Sequence, residues 1–315
     1  MSRFGLNLEL DVDAAGGRDL GAVAVEWFDM ASNTALHEPR SAMENGGPAP
    51  LAPQFVDPAA WNPAGAPVQL SGTWSVSSRR PKTFDAHSMG WLRAQLAEQP
   101  ERVNLIFALR AGTEPDAPNV WYPSLYAGYP EDSPGWLRIG AHVAESTFLD
   151  AQHGAEAQRL WLGLLRSFAD RLDPGFGQVE YGYDTEGTTG LEWSLPADVP
   201  LEERDAGYTV GQSRRFLRGY SWLTVVSADL VQRLGGVAAL TDSGVFAEAS
   251  ALRNGGIWLL ATGDYRDYGA AQAEALFRVL APVLRPGRPE PFDGDYGYPP
   301  QRVVFEDAAT AGPLS

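Results

Sequence analysis

The sequence predicts an α+β protein whose strands form a mixed, mainly antiparallel sheet or sheets packed by amphipathic helices. Three observations predict it. Apolar and polar residues alternate in several short runs, as half-buried strands require. Other segments repeat apolar residues at helical spacing. Most strand pairs are joined by short turns rather than helical crossovers, which disfavours a parallel doubly wound sheet.

The first run sets Phe4, Leu6, Leu8, Leu10 and Val12 on one side and Asn7, Glu9, Asp11 and Asp13 on the other. It reads as a strand. Gly16-Gly17 supplies a turn, and Gly21 to Phe28 reads as the hairpin partner. Three carboxylates on one strand face suit a cation or acid–base site, or a solvated edge that resists edge-to-edge association. The edge reading is the simpler one. Pro39 to Pro81 is rich in Pro, Gly and Ala and carries Trp61 and Trp74, which predicts an extended surface loop pinned by the tryptophans.

Asp85 to Glu98 reads as a helix through Met89, Leu92 and Leu96, and Val103 to Leu109 as a strand. Leu137 to Val143 is a further strand, with Arg138 and His142 on its second face. Ala155 to Leu172 is the clearest helix, its stripe made of Leu160, Trp161, Leu164, Leu165, Phe168 and Leu172. Asp173-Pro174-Gly175 stops it, and Gln178 to Asp184 returns as a strand. Thr185 to Arg215 is polar and loop-like. Gly219 to Val226 is a strand, after which Ser227 is placed to cap a short helix ending at Gly235-Gly236. Val245 to Leu252 and Ile257 to Thr262 form a hairpin through Asn254-Gly255-Gly256. A last helix, Ala270 to Leu284, turns Ala273, Leu276, Phe277, Leu280 and Leu284 inward. Trp136, Trp161, Trp193, Trp222 and Trp258 fall beside these patterns and are expected in the core.

The chain accordingly divides into an N-terminal hairpin and Pro-rich extended arm (1–85), an α+β core (86–285) and a Pro/Gly/Tyr-rich tail (286–315). Two successive α/β halves, about 100–190 and 215–285, leave a diverged repeat open, although their sequences do not align.

Among 315 residues, 24 are Lys or Arg and 40 are Asp or Glu, a formal net charge of −16. Nucleic-acid binding needs a basic face, and anionic membranes repel such a chain, so neither is expected as a partner. A basic protein partner or a cationic ligand stays open, because opposite fields speed encounter. Lys82 is the sole lysine, which excludes a standard P-loop, and no GxGxxG or GxSxG motif is present. There is no cysteine, so disulfide and thiolate chemistry are absent. No apolar run reaches about 18 residues, and Met1-Ser2-Arg3-Phe4 leads into the first strand without a signal-peptide core. A cytoplasmic protein is expected.

The four histidines, His37, His87, His142 and His153, make no HExxH or HxH arrangement. Pro39 after His37-Glu38 argues against a helical zinc motif there. No metal, cofactor or catalytic residue is assigned. Glu202-Glu203-Arg204-Asp205 reads as a solvated loop. The candidates for partner contact are Asp264, Tyr265, Arg266 and Tyr268, between a strand and a helix, because Arg and aromatic residues dominate binding hot spots. Asp184 and Glu186, in the loop after the Tyr181/Tyr183 strand, join them.

The block from Tyr220-Ser221-Trp222-Leu223-Thr224 through its helix to Leu234-Gly235-Gly236 resembles the Trp-Leu-Thr, helix, Leu-Gly-Gly block of a bacterial type VI immunity family, long known only as a domain of unknown function. The resemblance runs through Ile257 to Gly263 and the helix ending at Arg285-Pro286. It takes in Gly135 to Gly140 and the helix Leu160 to Leu172, covering about 100–290. Arg214-Arg215-Phe216-Leu217 stands where the family has Tyr-Pro-Gly, Asp264 to Tyr268 replaces a Pro-x-Leu-Gly-Asp loop, and 1–85 is unmatched. The resemblance implies a cytoplasmic inhibitor that binds and neutralises a toxin delivered by competitors. Contact residues vary with the toxin in such a family, so none is carried over. The expected function is therefore non-enzymatic, toxin-binding immunity. The alternatives are a scaffold subunit of a larger assembly and a hydrolase using Asp or Glu with His142 or His87.

Overall fold

The computed structural model describes residues 4–46, 68–112, 119–183, 187–188, 191–291 and 302–312. In chain order the strands are β1 (Phe4–Asp13), β2 (Val68–Val76), β3 (Lys82–Thr83), β4 (Val103–Ala111), β5 (Asn119–Trp121), β6 (Ser124–Gly128), β7 (Trp136–Ala144), β8 (Phe176–Tyr183), β9 (Gly187–Thr188), β10 (Leu223–Val226), β11 (Glu248–Ala251) and β12 (Ile257–Leu260). The helices are α1 (Leu20–Thr34), α2 (His37–Asn45), α3 (Ser88–Leu96), α4 (Glu145–Leu149), α5 (Gly154–Leu172), α6 (Leu201–Arg204), α7 (Ala206–Thr209), α8 (Ala228–Arg233), α9 (Gly236–Asp242) and α10 (Ala270–Leu280). The strands join in one sheet of order β11-β12-β10-β8-β1-β7-β6-β4-β2-β3, with β5 also on β4 and β9 on β8. Every pairing among them is antiparallel. The α+β architecture with an antiparallel sheet is thus as the sequence predicts.

Strand alternation gives this sheet two unlike faces. On one lie Leu6, Leu8, Leu10 and Val12 of β1, beside Ile139, Ala141 and Val143 of β7 and Val179 of β8, all buried. Helices α1 and α5 cover them. Trp27 of α1 meets Phe168 of α5 edge to face at 5.3 Å, and Phe28 meets Trp74 of β2 at 5.1 Å. Burying side chains of this size stabilises by roughly 2–3 kcal/mol each. The other face carries Asn7, Glu9 and Asp11, in register with His142, Gly140 and Arg138 of β7 and with Glu180, Gln178 and Phe176 of β8. Tyr126 of β6 lies across Gly140, where a Cβ would come within 2.5 Å of its ring, and its hydroxyl donates to Asn7 Oδ1 at 2.9 Å.

Several local expectations are corrected. Gly21 to Phe28 is not a strand but part of α1: Leu20, Val23, Ala24, Trp27, Phe28 and Ala31 recur at helical spacing and are buried, and Asp19 accepts from the Ala22 N–H as N-cap. β1 is not an edge but the strand between β7 and β8, so its carboxylates face the interior. Within the supposed loop 39–81, α2 and β2 are regular. Pro39 sits in the first turn of α2, where a missing N–H costs no helical hydrogen bond. Trp61 lies outside the described residues. The 185–215 interval holds the short helices α6 and α7, so Glu202, Glu203 and Arg204 are helical, while Asp205 caps α7. The predicted hairpin β11–β12 is present, turned through Gly255 at φ 90°. Among the described residues no helix is long and apolar enough to cross a membrane.

Candidate functional site

The densest group of ionisable side chains grows from the polar alternation of β1. Because β1 is central, Glu9 and Asp11 are only 3% and 0% exposed. Charges so placed are tolerated only when paired and hydrogen-bonded. Arg138 of β7 reaches Asp11 Oδ1 at 3.1 Å and Glu9 Oε2 at 3.5 Å. Arg218, from the segment preceding β10, pairs with Asp11, lies 3.6 Å from Glu9, and donates to both oxygens of Glu192 at 2.8 and 3.2 Å. Its Nε is shared with Thr209 Oγ1, and its guanidinium stacks over Phe176. Gln178 and Asn7 give Glu9 amide donors at 2.9 and 3.2 Å. Burial pushes the Glu9 carboxyl up, but Arg138, Arg218 and the amides outweigh it, and the net shift is downward. Arg218 is held well above its ordinary value: burial opposes this, and Glu192, Asp11 and Glu9 overcome it.

A second set continues it. Arg214 bridges Asp13 at 2.6 Å, Asp173 at 3.2 Å and Asp229 at 3.3 Å, joining β1 to the end of α5 and to α8. The Glu9–Asp11–Arg218–Glu192 part of this array is internal, and the Arg214 part runs out to the exposed Asp229; the donors are spent on acceptors within the protein. A Glu–Asp pair that would serve acid–base chemistry elsewhere here ties β1, β7 and the 192–218 segment together.

The histidines fall on separate elements. His142 stacks on Tyr126 at 4.9 Å, and its Nε2 faces Arg102 Nη2 at 3.0 Å. Burial, reinforced by Arg102, lowers its pKa to about 4, so the ring is neutral at pH 7 with Nε2 accepting from the guanidinium. That lone pair is occupied, which leaves His142 poorly placed as a base. His37 and His87 are exposed, and His153 precedes α5. Among the described residues no His, Asp and Glu side chains group so as to hold a metal ion.

The Asp264–Tyr268 loop faces inward more than outward. Asp264 accepts from the Arg266 N–H, from Arg266 Nε and from Gln158 Nε2 of α5, at 2.9–3.1 Å. The hydrogen bonds from Arg266, with that from Gln158, hold its carboxyl far below the usual range although burial opposes this. Tyr265 is 2% exposed, packed between Phe148 and Trp222, with its hydroxyl donating to Glu145 at 3.0 Å. Tyr268 is also buried. Arg302, from the C-terminal segment, lies over the rings of Tyr265, Tyr268 and Tyr181 at 5.3, 5.2 and 5.9 Å. Of these four candidates Arg266 is the most exposed. Asp184 and Glu186 lie outside the described residues.

Sequence reasoning missed Arg138, Arg218 and Glu192 as one cluster, and the clasp made by Arg302. The signal available was the strictly alternating Asn7-Glu9-Asp11. Its partners come from more than 100 residues away in sequence. Also unanticipated is a cleft of about 260 Å³ between the α3–β4 loop and the β6–β7 turn, walled by Tyr129 and Trp136 and rimmed by Glu101 and Glu131.

Comparison with known proteins then places the chain. The structure is similar to the Pseudomonas aeruginosa T6SS protein PA0821, with a TM-score of 0.52 and 14% identity, over 97% of this chain and 80% of that one. At this identity the likeness is one of fold. No curated protein matches the chain in sequence. The family model TsiV, described as type VI immunity for VRR-NUC, matches residues 146–312, more than half of the chain and the part that carries β8 to β12, Arg218 and the Arg302 clasp. The family resemblance seen over 100–290 is met, with its limits shifted towards the C-terminus, and the chain belongs to the TsiV type VI immunity family.

Proposed function

We propose that this protein protects its cell from a VRR-NUC effector of a type VI secretion system by binding the toxin directly, without catalysis of its own. Membership of a family described by immunity to VRR-NUC carries this reading. Two features support it. The ionisable groups with the best catalytic composition are buried in mutual pairs, where no substrate reaches them. The net charge of −16 favours encounter with a basic toxin face. The site of action is the cytoplasm of the protected cell.

The test is co-expression with VRR-NUC effectors of type VI secretion systems, toxin-like genes neighbouring this one first, scored by survival and by co-purification. Survival with a stable complex is expected. Killing that proceeds unchanged, with no complex recovered, would sink the reading. Survival with the effector chemically altered would point to an enzyme instead.

A further inference from the structure

The cleft beside the β6–β7 turn is a built feature. Tyr129 donates its N–H to Pro100 O at 3.3 Å, bringing the α3–β4 loop onto the end of β6. Gly128 permits that approach, because a Cβ there would stand 2.3 Å from Glu101 O. On the opposite wall Trp136 packs over Gly175, where a Cβ would meet its ring at 2.7 Å, and Asp13 pairs with it in register. Both walls are therefore held by close contacts, backbone on backbone at Gly128 and ring on backbone at Gly175, that any larger residue at the two glycines would break.

The lining is chemically uneven. Two aromatic side chains form the sides, and Glu101 and Glu131 stand exposed at the rim. Neither carboxylate has an ion pair or hydrogen bond among the described residues, whereas the carboxylates of β1 are all paired. Tyr129 is a core side chain, 7% exposed, with its hydroxyl beside Gly21 of α1, so it backs the cleft while the half-buried Trp136 offers it aromatic surface. Beyond Glu131 the rim stays acidic: Asp132 hydrogen-bonds Tyr208, and Ser133 Oγ donates to Gly207 O at 2.7 Å, drawing Glu202 and Asp205 alongside. Aromatic faces with free carboxylates complement a planar cation, which stacks and hydrogen-bonds in a forked geometry. A volume of about 260 Å³ suits one long side chain better than a cofactor-sized ligand.

We propose that this cleft receives an arginine side chain of the toxin, its guanidinium against Trp136 and its N–H groups on Glu101 and Glu131. The assignment rests on the binding role proposed above and adds to it a place and a chemistry.

Titration calorimetry of the full chain against the VRR-NUC effector that it neutralises in the co-expression test, at low and moderate salt, tests it. The double variant Glu101→Gln/Glu131→Gln is expected to lose at least about tenfold in affinity and to show a shallower salt dependence. Its melting temperature should match the wild type, because the two side chains hold nothing. Glu156→Gln, on the exposed face of α5, should bind normally. A double variant that binds as tightly as the wild type overturns the cleft while leaving the binding role intact. A wild-type chain that neither binds nor protects overturns the binding role itself. A second measurement is independent of the toxin and of variant folding. The Trp136 indole N–H resonance of the wild type should move with N-acetylarginine amide and stay put with the citrulline analogue. A resonance unmoved by the arginine compound, or moved equally by both, overturns the assignment.

Discussion

His142 shows how one side chain couples the sheet to pH. An imidazole titrates near 6.5 in an unfolded chain, whereas in the fold burial and the facing Arg102 keep it neutral down to about 4. Between those values the unfolded state binds a proton that the folded state refuses. Stability that is complete above pH 6.5 is therefore lost as pH falls towards 4. Over the interval from pH 7 to 5 the loss amounts to about 2 kcal/mol. Glu9 also loses stability in acid, but its lowered carboxyl acts only below its ordinary value of 4.5, so the upper window isolates the histidine. Urea denaturation at pH 7 and pH 5 checks this. His142→Gln keeps an acceptor without a titration and should flatten the difference; an unchanged slope would show that the loss arises elsewhere. The buried arginines differ in kind. Removing Arg218 would strand the buried Glu192 and leave Asp11 with Arg138 alone, a change that typically costs about 3–5 kcal/mol.

At the scale of elements, two helix starts look alike in sequence and differ in structure. Asp19 opens α1 and accepts from the Ala22 N–H at 3.0 Å. Ser227 precedes α8 in the position of an N-cap, yet its side chain makes no capping bond and its Oγ is buried without a partner. Asp19→Ala is expected to cost about 1 kcal/mol, as the loss of a working cap does. Ser227→Ala is expected to be neutral or slightly stabilising, since it removes an unsatisfied hydroxyl. Thermal melts of the two single variants compare them directly, and a larger loss at Ser227 would contradict the structure. The elements most legible in sequence were those whose periodicity had one interpretation. α5 carries its apolar stripe over five turns, and β4 and β7 alternate at both ends around a short buried centre, Phe107 to Leu109 and Ile139 to Ala141. α1 was misread because the valines within Gly21 to Phe28 suit either period, and only the continuation to Ala31 with the Asp19 cap separates helix from strand.

For the whole molecule, connectivity matters more than sequence distance. β1 is hydrogen-bonded on one side to β7 and on the other to β8, and β2 pairs along its full length with β4. The first 85 residues thus supply the central strand β1 and, through β2 and β3, one end of the sheet. A chain beginning at residue 86 would expose the inner edges of β7 and β8 and leave Arg138 and Arg218 without Asp11. It is expected to be insoluble or to lack dispersed amide resonances, rather than to fold as an independent core. Spectra of the 86–315 fragment test this, and native dispersion there would show that the core stands alone. The C-terminal segment is fastened from outside, by Arg302 over three tyrosines, Glu306 on Arg278 at 2.7 Å and Asp307 on the Gly287 N–H at 3.0 Å.

What the sequence by itself determined is local or additive. Alternation and helical spacing specify which side of each segment is apolar, and hence an antiparallel α+β protein. Charge sums to −16 whatever the fold, and the Trp222-to-Gly236 block carried the family. What only the tertiary structure decided is which segments become neighbours. Alternation in β1 is the same for an edge strand as for a central one. Only the pairing with β7 and β8 turns its carboxylates from a solvated margin into a buried ionic array. The same holds for the Tyr265 loop, whose aromatic and arginine composition suited a surface contact until Phe148, Trp222 and Arg302 closed around it. The cleft at Trp136 was equally hidden, because its walls meet through contacts at Gly128 and Gly175, residues that have no side chain for a pattern to register. The physical reason is common to all three: burial and pairing belong to the contacts between segments, and no segment contains them alone.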